Sequence, residues 1–186
     1  MERTISMMVG KGSLNHNNRT FIAKNVDSER SKCNQIYVKE SIKQVYHALF
    51  DEALEAYNAK QTRSDRRIDN YYEKIRTSKQ EKLFHELIVQ IGNRDDTNCS
   101  MVESVYAQLA LEEYMMGFQE RNPNIRVFNA VMHLDEETPH LHIDYVPFST
   151  GNRRGLSIKV SLKGALKAQG FVGTGRFDTE WKRWVE

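Results

Sequence analysis

The sequence predicts an α+β fold: a two-layer sandwich with a mostly antiparallel central sheet and helices packed mainly on one face. Three observations predict it. Several short segments alternate apolar and polar residues with the period of two expected of strands. Longer segments carry apolar residues at the i, i+3, i+4 spacing of amphipathic helices. The two kinds follow one another in the order β, α, α, β, α, β, β, α, which suits an antiparallel sheet covered by helices. A chain of 186 residues is long enough for one domain with a real core.

Residues 4–12, "TISMMVGKG", read as a short first strand ending in glycines, and the polar "SLNHNNRTFIAKNVD" after it as a loop. From 40 to 61 the apolar positions Ile42, Val45, Tyr46, Leu49, Phe50, Ala53, Leu54 and Tyr57 form the stripe of a long helix. A basic connection and a short helix over 68–76 follow. "KLFHELIVQIG" (82–92) alternates as a strand, and a second long helix is expected over 100–121, closed by Pro123. "IRVFNAVMHL" and "LHIDYVPF" are two strands joined by the turn "DEETP". The basic stretch 151–171 holds a helix ending at Gly170. The final "DTEWKRWVE" opens another helix, so residues 1–186 are expected to be a single domain forming the N-terminal part of a longer protein.

Composition excludes several classes. Hydrophobic residues are 39% and charged residues 28%, within the globular range. The formal net charge of +2 argues against a uniformly basic coat but permits a local basic stripe. Cys33 and Cys99 are far apart and lack CxxC spacing, so a zinc knuckle is excluded, and a reducing, intracellular setting fits. No stretch approaches 18 apolar residues, and the N-terminus is too polar for a signal peptide.

The densest chemistry is "HLDEETPHLH" (133–142), which holds three of the six histidines. Strand alternation puts His140, His142 and Asp144 on one face, and on the preceding strand His133 shares a face with Val131 and Asn129. A hairpin closed by 134–139 brings His133 within a cross-strand distance of about 4.5–8 Å of His140. Three convergent imidazoles make a metal site with open coordination positions, over which Asp135 or Glu136 can lean. An acid–base site and a plain polar turn are the alternatives. The zincin HExxH and deaminase PCxxC patterns are absent, and the single histidine precedes HxH, the reverse of the cupin order. His47 and His85 read as structural, and His16 is a loop histidine beside Arg19.

His140-Leu141-His142 resembles the histidine–hydrophobic–histidine pair of the HUH endonucleases. The wider "HLDEETPHLHIDYVPF" is similar to the HxDExxPHxHxxxVP signature of the MobV relaxases, the Mob/Pre plasmid recombination enzymes, and "HNNR" to that family's HNxR motif. The resemblance covers most of the chain and implies an HUH relaxase-like fold. It also implies an enzyme, in the bacterial cytoplasm, that nicks and rejoins one DNA strand at an origin of transfer to mobilise a plasmid or integrative element. His133, His140 and His142 would bind one divalent cation, Mn2+ in preference to Mg2+ or another transition metal. Glu136 would stand beside the nucleophile, with the role of Asp135 left open. His16 would be that nucleophile, passing through a phosphoramidate, and Arg19 would hold a phosphate. The family's second motif is only loosely met by "NQIYVKES", which leaves Asn34 and Tyr37 without assigned roles.

The chemistry is coherent on its own terms. A cation on a non-bridging oxygen withdraws charge from a phosphodiester, and a neutral imidazole is a competent nucleophile near pH 7. Single-stranded DNA and an adjacent hairpin or duplex are the expected substrates, with coupling and conjugation machinery as further partners. Lys11, Arg19 and Lys24 flank the nucleophile loop. Arg153, Arg154, Lys159, Lys163 and Lys167 follow the histidine strand, and Arg63, Arg66 and Arg67 form another basic group. Two other readings compete: a Rep-like endonuclease using a tyrosine, Tyr37 being nearest, and a non-catalytic origin-binding module.

Overall fold

The computed structural model describes residues 3–186. In chain order the elements are β1 (Ile5–Val9), a single helical turn α1 (Leu14–Asn17), β2 (Gln35–Lys39), α2 (Ile42–Ala59), α3 (Tyr71–Arg76), β3 (His85–Ile91), α4 (Ser104–Met116), α5 (Phe118–Arg121), β4 (Ile125–His133), β5 (His140–Ser149), β6 (Lys159–Val160), α6 (Leu162–Ala168) and α7 (Glu180–Val185). Five strands lie side by side in the order β1-β3-β5-β4-β2, and β6 pairs with β5. The pairings of β1 with β3, β3 with β5, β2 with β4 and β5 with β6 are all antiparallel. No helix among the described residues is long and apolar enough to cross a membrane.

The α+β class and the antiparallel sheet agree with the sequence reading, and four local features depart from it. β2 and β6 were not expected. β2 is bulged between Ile36 and Val38 and leaves Ile36 exposed, so its alternation is masked. The polar segment after β1, read as loop, contains α1. The helix expected over 100–121 starts at Ser104 and divides at Gly117 into α4 and α5.

Contacts divide the chain into two compact units, the first comprising the residues up to Lys39, His85–Arg121 and Val127–Tyr145. Here the sheet has two unlike faces. Leu87 and Val89 pair with Ile143 and Leu141, so all four share one side, and Tyr145 follows in the same alternation. All five are essentially inaccessible, as are Ala107, Leu111 and Phe118 from α4 and α5, and α4 packs on β3. Burying a side chain of this size is worth about 1.5–3 kcal/mol, which fixes the register: a one-residue slip would exchange the faces. The other face carries Glu86 opposite Asp144, Ile88 opposite His142 and Gln90 opposite His140.

The second unit comprises Glu40–Phe84, Asn122–Arg126 and Val146–Glu186. Val45, Tyr46, Phe50 and Ala53 of α2 meet Tyr71 and Ile75 of α3, with Phe50 edge-on to Tyr71 at 4.9 Å. The Tyr46 hydroxyl donates to the Leu83 carbonyl at 2.6 Å. Asn70, Ser161 and Thr179 cap α3, α6 and α7 by accepting backbone N–H groups in their first turns. His47 lies on the exposed side of α2, paired with Asp51.

Candidate metal and nucleophile site

The polar face of the first unit holds the site. His133 ends β4, and His140 and His142 alternate on β5, so strand geometry alone points all three rings to one side. Their centroids are 4.5 Å (133–142), 4.9 Å (140–142) and 5.3 Å (133–140) apart. All three residues are buried.

Each ring spends one nitrogen on a hydrogen-bond acceptor. His133 Nε2–H donates to the Asn17 carbonyl at 2.8 Å, His140 Nδ1–H to the Thr138 carbonyl at 2.8 Å, and His142 Nδ1–H to Glu86 Oε1 at 2.6 Å. An acceptor at one nitrogen forces the proton there and leaves the other nitrogen as a lone pair. Of the freed atoms, His133 Nδ1 and His142 Nε2 are buried without a hydrogen-bond partner. Burial keeps two of the rings neutral, pushing His133 down to about 2 and His140 to about 4. Two donor groups converge here, His16–His133–His142 and His133–Glu136–His140, each within 4.8 Å. Neutral imidazoles, a carboxylate and orphaned nitrogens suit a divalent transition metal.

Glu86 is the residue that sequence reasoning missed. It is 3% exposed, and besides His142 it accepts from Asn17 Nδ2 at 2.8 Å and the Gly12 N–H at 2.6 Å. Burial alone would raise its pKa, but these bonds, that to His142 foremost, hold it below the usual carboxylate range. Gly10 leaves the room it occupies, since a Cβ there would sit 2.0 Å from Glu86 Oε2. Asn17 Nδ2 also reaches Asp144 Oδ2 at 2.9 Å, and Asn129 donates to the same oxygen. Burial pushes Asp144 up to about 6. An acid in the apolar strand "HELIVQI" was the available signal, but its meaning depends on a register set by a distant strand.

His16 sits in α1, a quarter exposed, with ring centroids 5.5 Å from His133 and 5.6 Å from His142. Glu136 Oε1 stands 3.3 Å from its Nε2. Burial and the nearby Arg19 cation lower the His16 pKa, so the ring is neutral at pH 7. Arg19, expected to hold a phosphate, has its guanidinium taken up by carboxylates: Nε meets Asp135 Oδ2 and Nη2 meets Glu136 Oε1, both at 2.8 Å. Its φ of +52° turns the chain after α1 so that this clamp closes. Asp135 is fully buried and also accepts from Ser31 and Asn34 at 2.7 Å. Burial would raise its pKa, but Arg19, Ser31 and Asn34 outweigh that and hold it well below the usual range. Asn34 therefore has a place in the site: its Oδ1 also accepts the Leu134 N–H. Tyr37 instead donates to Gln35, and burial pushes its hydroxyl up to about 12, away from a phenolate nucleophile.

Over the histidines opens a cleft of about 560 Å³, lined among others by Met8, His16, Ile88, Gln90, Glu136, His140 and His142. Of the expected phosphate contacts, Lys11 and Lys24 are exposed in the first unit. In the second unit Arg153 and Arg154 are exposed, Lys159 is half-buried, and Lys163 lies 3.6 Å from Glu180.

The family model described as plasmid recombination enzyme (Mob_Pre) matches residues 16–166, most of the chain. The chain belongs to that family. Solved structures of the MobM relaxase domain, Mn-bound and in complex with plasmid pMV158 oriT DNA, are similar to this Mob/Pre chain. One with a 22-nucleotide DNA is 21% identical over 88% of this chain and 76% of that chain, with a TM-score of 0.44. Another, with 23 nucleotides, is 23% identical over 87% and 73%, with a TM-score of 0.47. Curated protein sequences give no significant match.

The Glu86 contact gives a first expected result for this Mob/Pre enzyme. Glu86→Gln keeps the shape but replaces the charge that orients His142, so Mn2+ affinity falls by about 10–100-fold. Titration with Mn2+, following the free ion by electron paramagnetic resonance, measures it; unchanged affinity would show that Glu86 does not tune the ligand.

Proposed function

We propose that this chain is a relaxase: it nicks one DNA strand at an origin of transfer through a covalent bond to His16 and later reseals it. The observation that carries the reading is the convergence of His16 and Glu136 on three imidazoles whose tautomers are already set. His133, His140 and His142 would hold the cation, and the imidazole-rich set favours Mn2+ over Mg2+, which prefers oxygen ligands. Once bound, that ion would supply Lewis-acid polarisation of a non-bridging phosphate oxygen.

The chain's own residues do the rest. Glu136, whose Oε1 stands 3.3 Å from His16 Nε2, would accept its N–H and leave the Nδ1 lone pair for phosphorus. Arg19 ties Glu136 to Asp135 and so holds that carboxylate in place. As the His16 N–P bond forms, the P–O bond to the 3′-oxygen breaks; the Nε2 proton passes to Glu136, and the departing 3′-oxygen takes a proton from solvent to leave as a 3′-hydroxyl. The phosphoramidate keeps the bond energy for rejoining, when the hydroxyl attacks phosphorus and returns the electron pair to His16. Lys11, Lys24, Arg153, Arg154, Lys159 and Lys163 would neutralise backbone phosphates of the single strand and its neighbouring hairpin or duplex. A bacterial cytoplasmic setting, with coupling and conjugation machinery receiving the product, follows from this reading.

The test is a supercoiled plasmid carrying the cognate origin, incubated with the protein. With Mn2+ the expected product is nicked and protein-linked, and the link is labile to acid. Chelation of the metal should reduce the product to background. Origin binding without nicking at any Mn2+ concentration would sink the proposal in favour of a binding module, and an acid-stable link would point to a tyrosine.

A further inference from the structure

His16 stands among the metal ligands as well as facing the substrate cleft. One nitrogen each from His16, His133 and His142 lies within 4.8 Å of the others, and the latter two have unpartnered buried nitrogens. A lone pair that binds a cation cannot also attack phosphorus. Building on the metal-site reading above, we propose that in the DNA-free enzyme His16 joins His133 and His142 as a ligand to a four-coordinate cation such as Zn2+. Such an ion then holds the enzyme idle, whereas Mn2+ leaves His16 free.

Three features support this. A tetrahedral ion with nitrogens at about 2.0–2.1 Å needs those nitrogens about 3.4 Å apart, so a contraction of little more than an ångström closes the set. His16 rides on a helix of only four residues, with a side chain a quarter exposed, so it can make that movement. Metal affinities rise from Mn2+ toward Zn2+ at a nitrogen-rich site, so the inhibitory ion outcompetes the activating one at equal concentration. With His140 also near, the coordination shell would be filled, leaving no position for a phosphate oxygen.

Co2+, whose visible absorption is strong in four-coordinate sites and weak in six-coordinate ones, serves as the stand-in for zinc. It is titrated into the DNA-free wild type, His16→Ala and His140→Ala, and Zn2+ is then added in competition. The expected result is a strong band in the wild type, reduced several-fold in His16→Ala, with Zn2+ affinity of that variant lower by at least about 10-fold. Mn2+ affinity of His16→Ala should stay within about twofold of the wild type, which also reports an intact fold. Equal Co2+ bands and equal Zn2+ affinities in wild type and His16→Ala would overturn this proposal while leaving the metal site standing, provided His140→Ala loses affinity. No binding by the wild type, or binding that His140→Ala leaves untouched, would overturn the metal site itself.

Discussion

His16→Ala should lower nicking of the cognate supercoiled plasmid by about 10⁴-fold or more, the loss typical when an attacking group is removed. DNA affinity, measured by fluorescence anisotropy with an origin oligonucleotide, should change by less than about threefold. The asymmetry follows from the geometry. His16 is a quarter-exposed ring on one helical turn whose buried anchor is its neighbour Asn17, so removing the ring leaves that anchor intact. Covalent adducts on denaturing gels should vanish together with nicking. A variant that still nicks at even a tenth of the wild-type rate would remove His16 from the chemistry.

The second large effect is on stability. Asp135→Ala deletes a fully buried carboxylate and leaves the Arg19 guanidinium, the Ser31 hydroxyl and Asn34 Nδ2 without their shared acceptor. Breaking one side of such a buried pair costs on the order of 3–5 kcal/mol. For a chain of this size that is about 6–20 °C of melting temperature. The sign of its pH dependence is fixed by the lowered folded pKa of Asp135. The stabilisation is complete above the unfolded value of about 3.9 and is lost as pH falls through the folded one. The gap in melting temperature between wild type and variant should therefore be constant near neutrality and narrow below about pH 4. A shift under about 2 °C at pH 7 would show that the clamp is not a structural element.

The hairpin of β4 and β5 was legible because its physics is local. Alternation sets which side chains share a face, and the short turn "DEETP" sets which strands are neighbours. The same rule placed Asp144 beside His142. β2 was hidden because a bulge interrupts its alternation, and α1 because four residues are too few to display a helical period. The partners of the histidines were harder still. Glu86, Asn17 and Asn34 matter through bonds between residues 56 to 127 positions apart, and no periodicity encodes those. Arg19 shows the same long-range wiring: its Nε and Nη2 meet two carboxylates supplied by the turn, while Nη1 donates to the His16 carbonyl.

Asn17 gives that long-range wiring a practical meaning. One side-chain amide bridges Glu86 and Asp144, while the carbonyl of the same residue accepts the hydrogen bond from His133 Nε2–H. The "HNNR" and "HLDEETPHLH" segments are thus not interchangeable cassettes. A chimera that took one of them from a distant relative would inherit a nucleophile aligned to someone else's ligands, unless Gly10, Glu86 and Asp144 travelled with it.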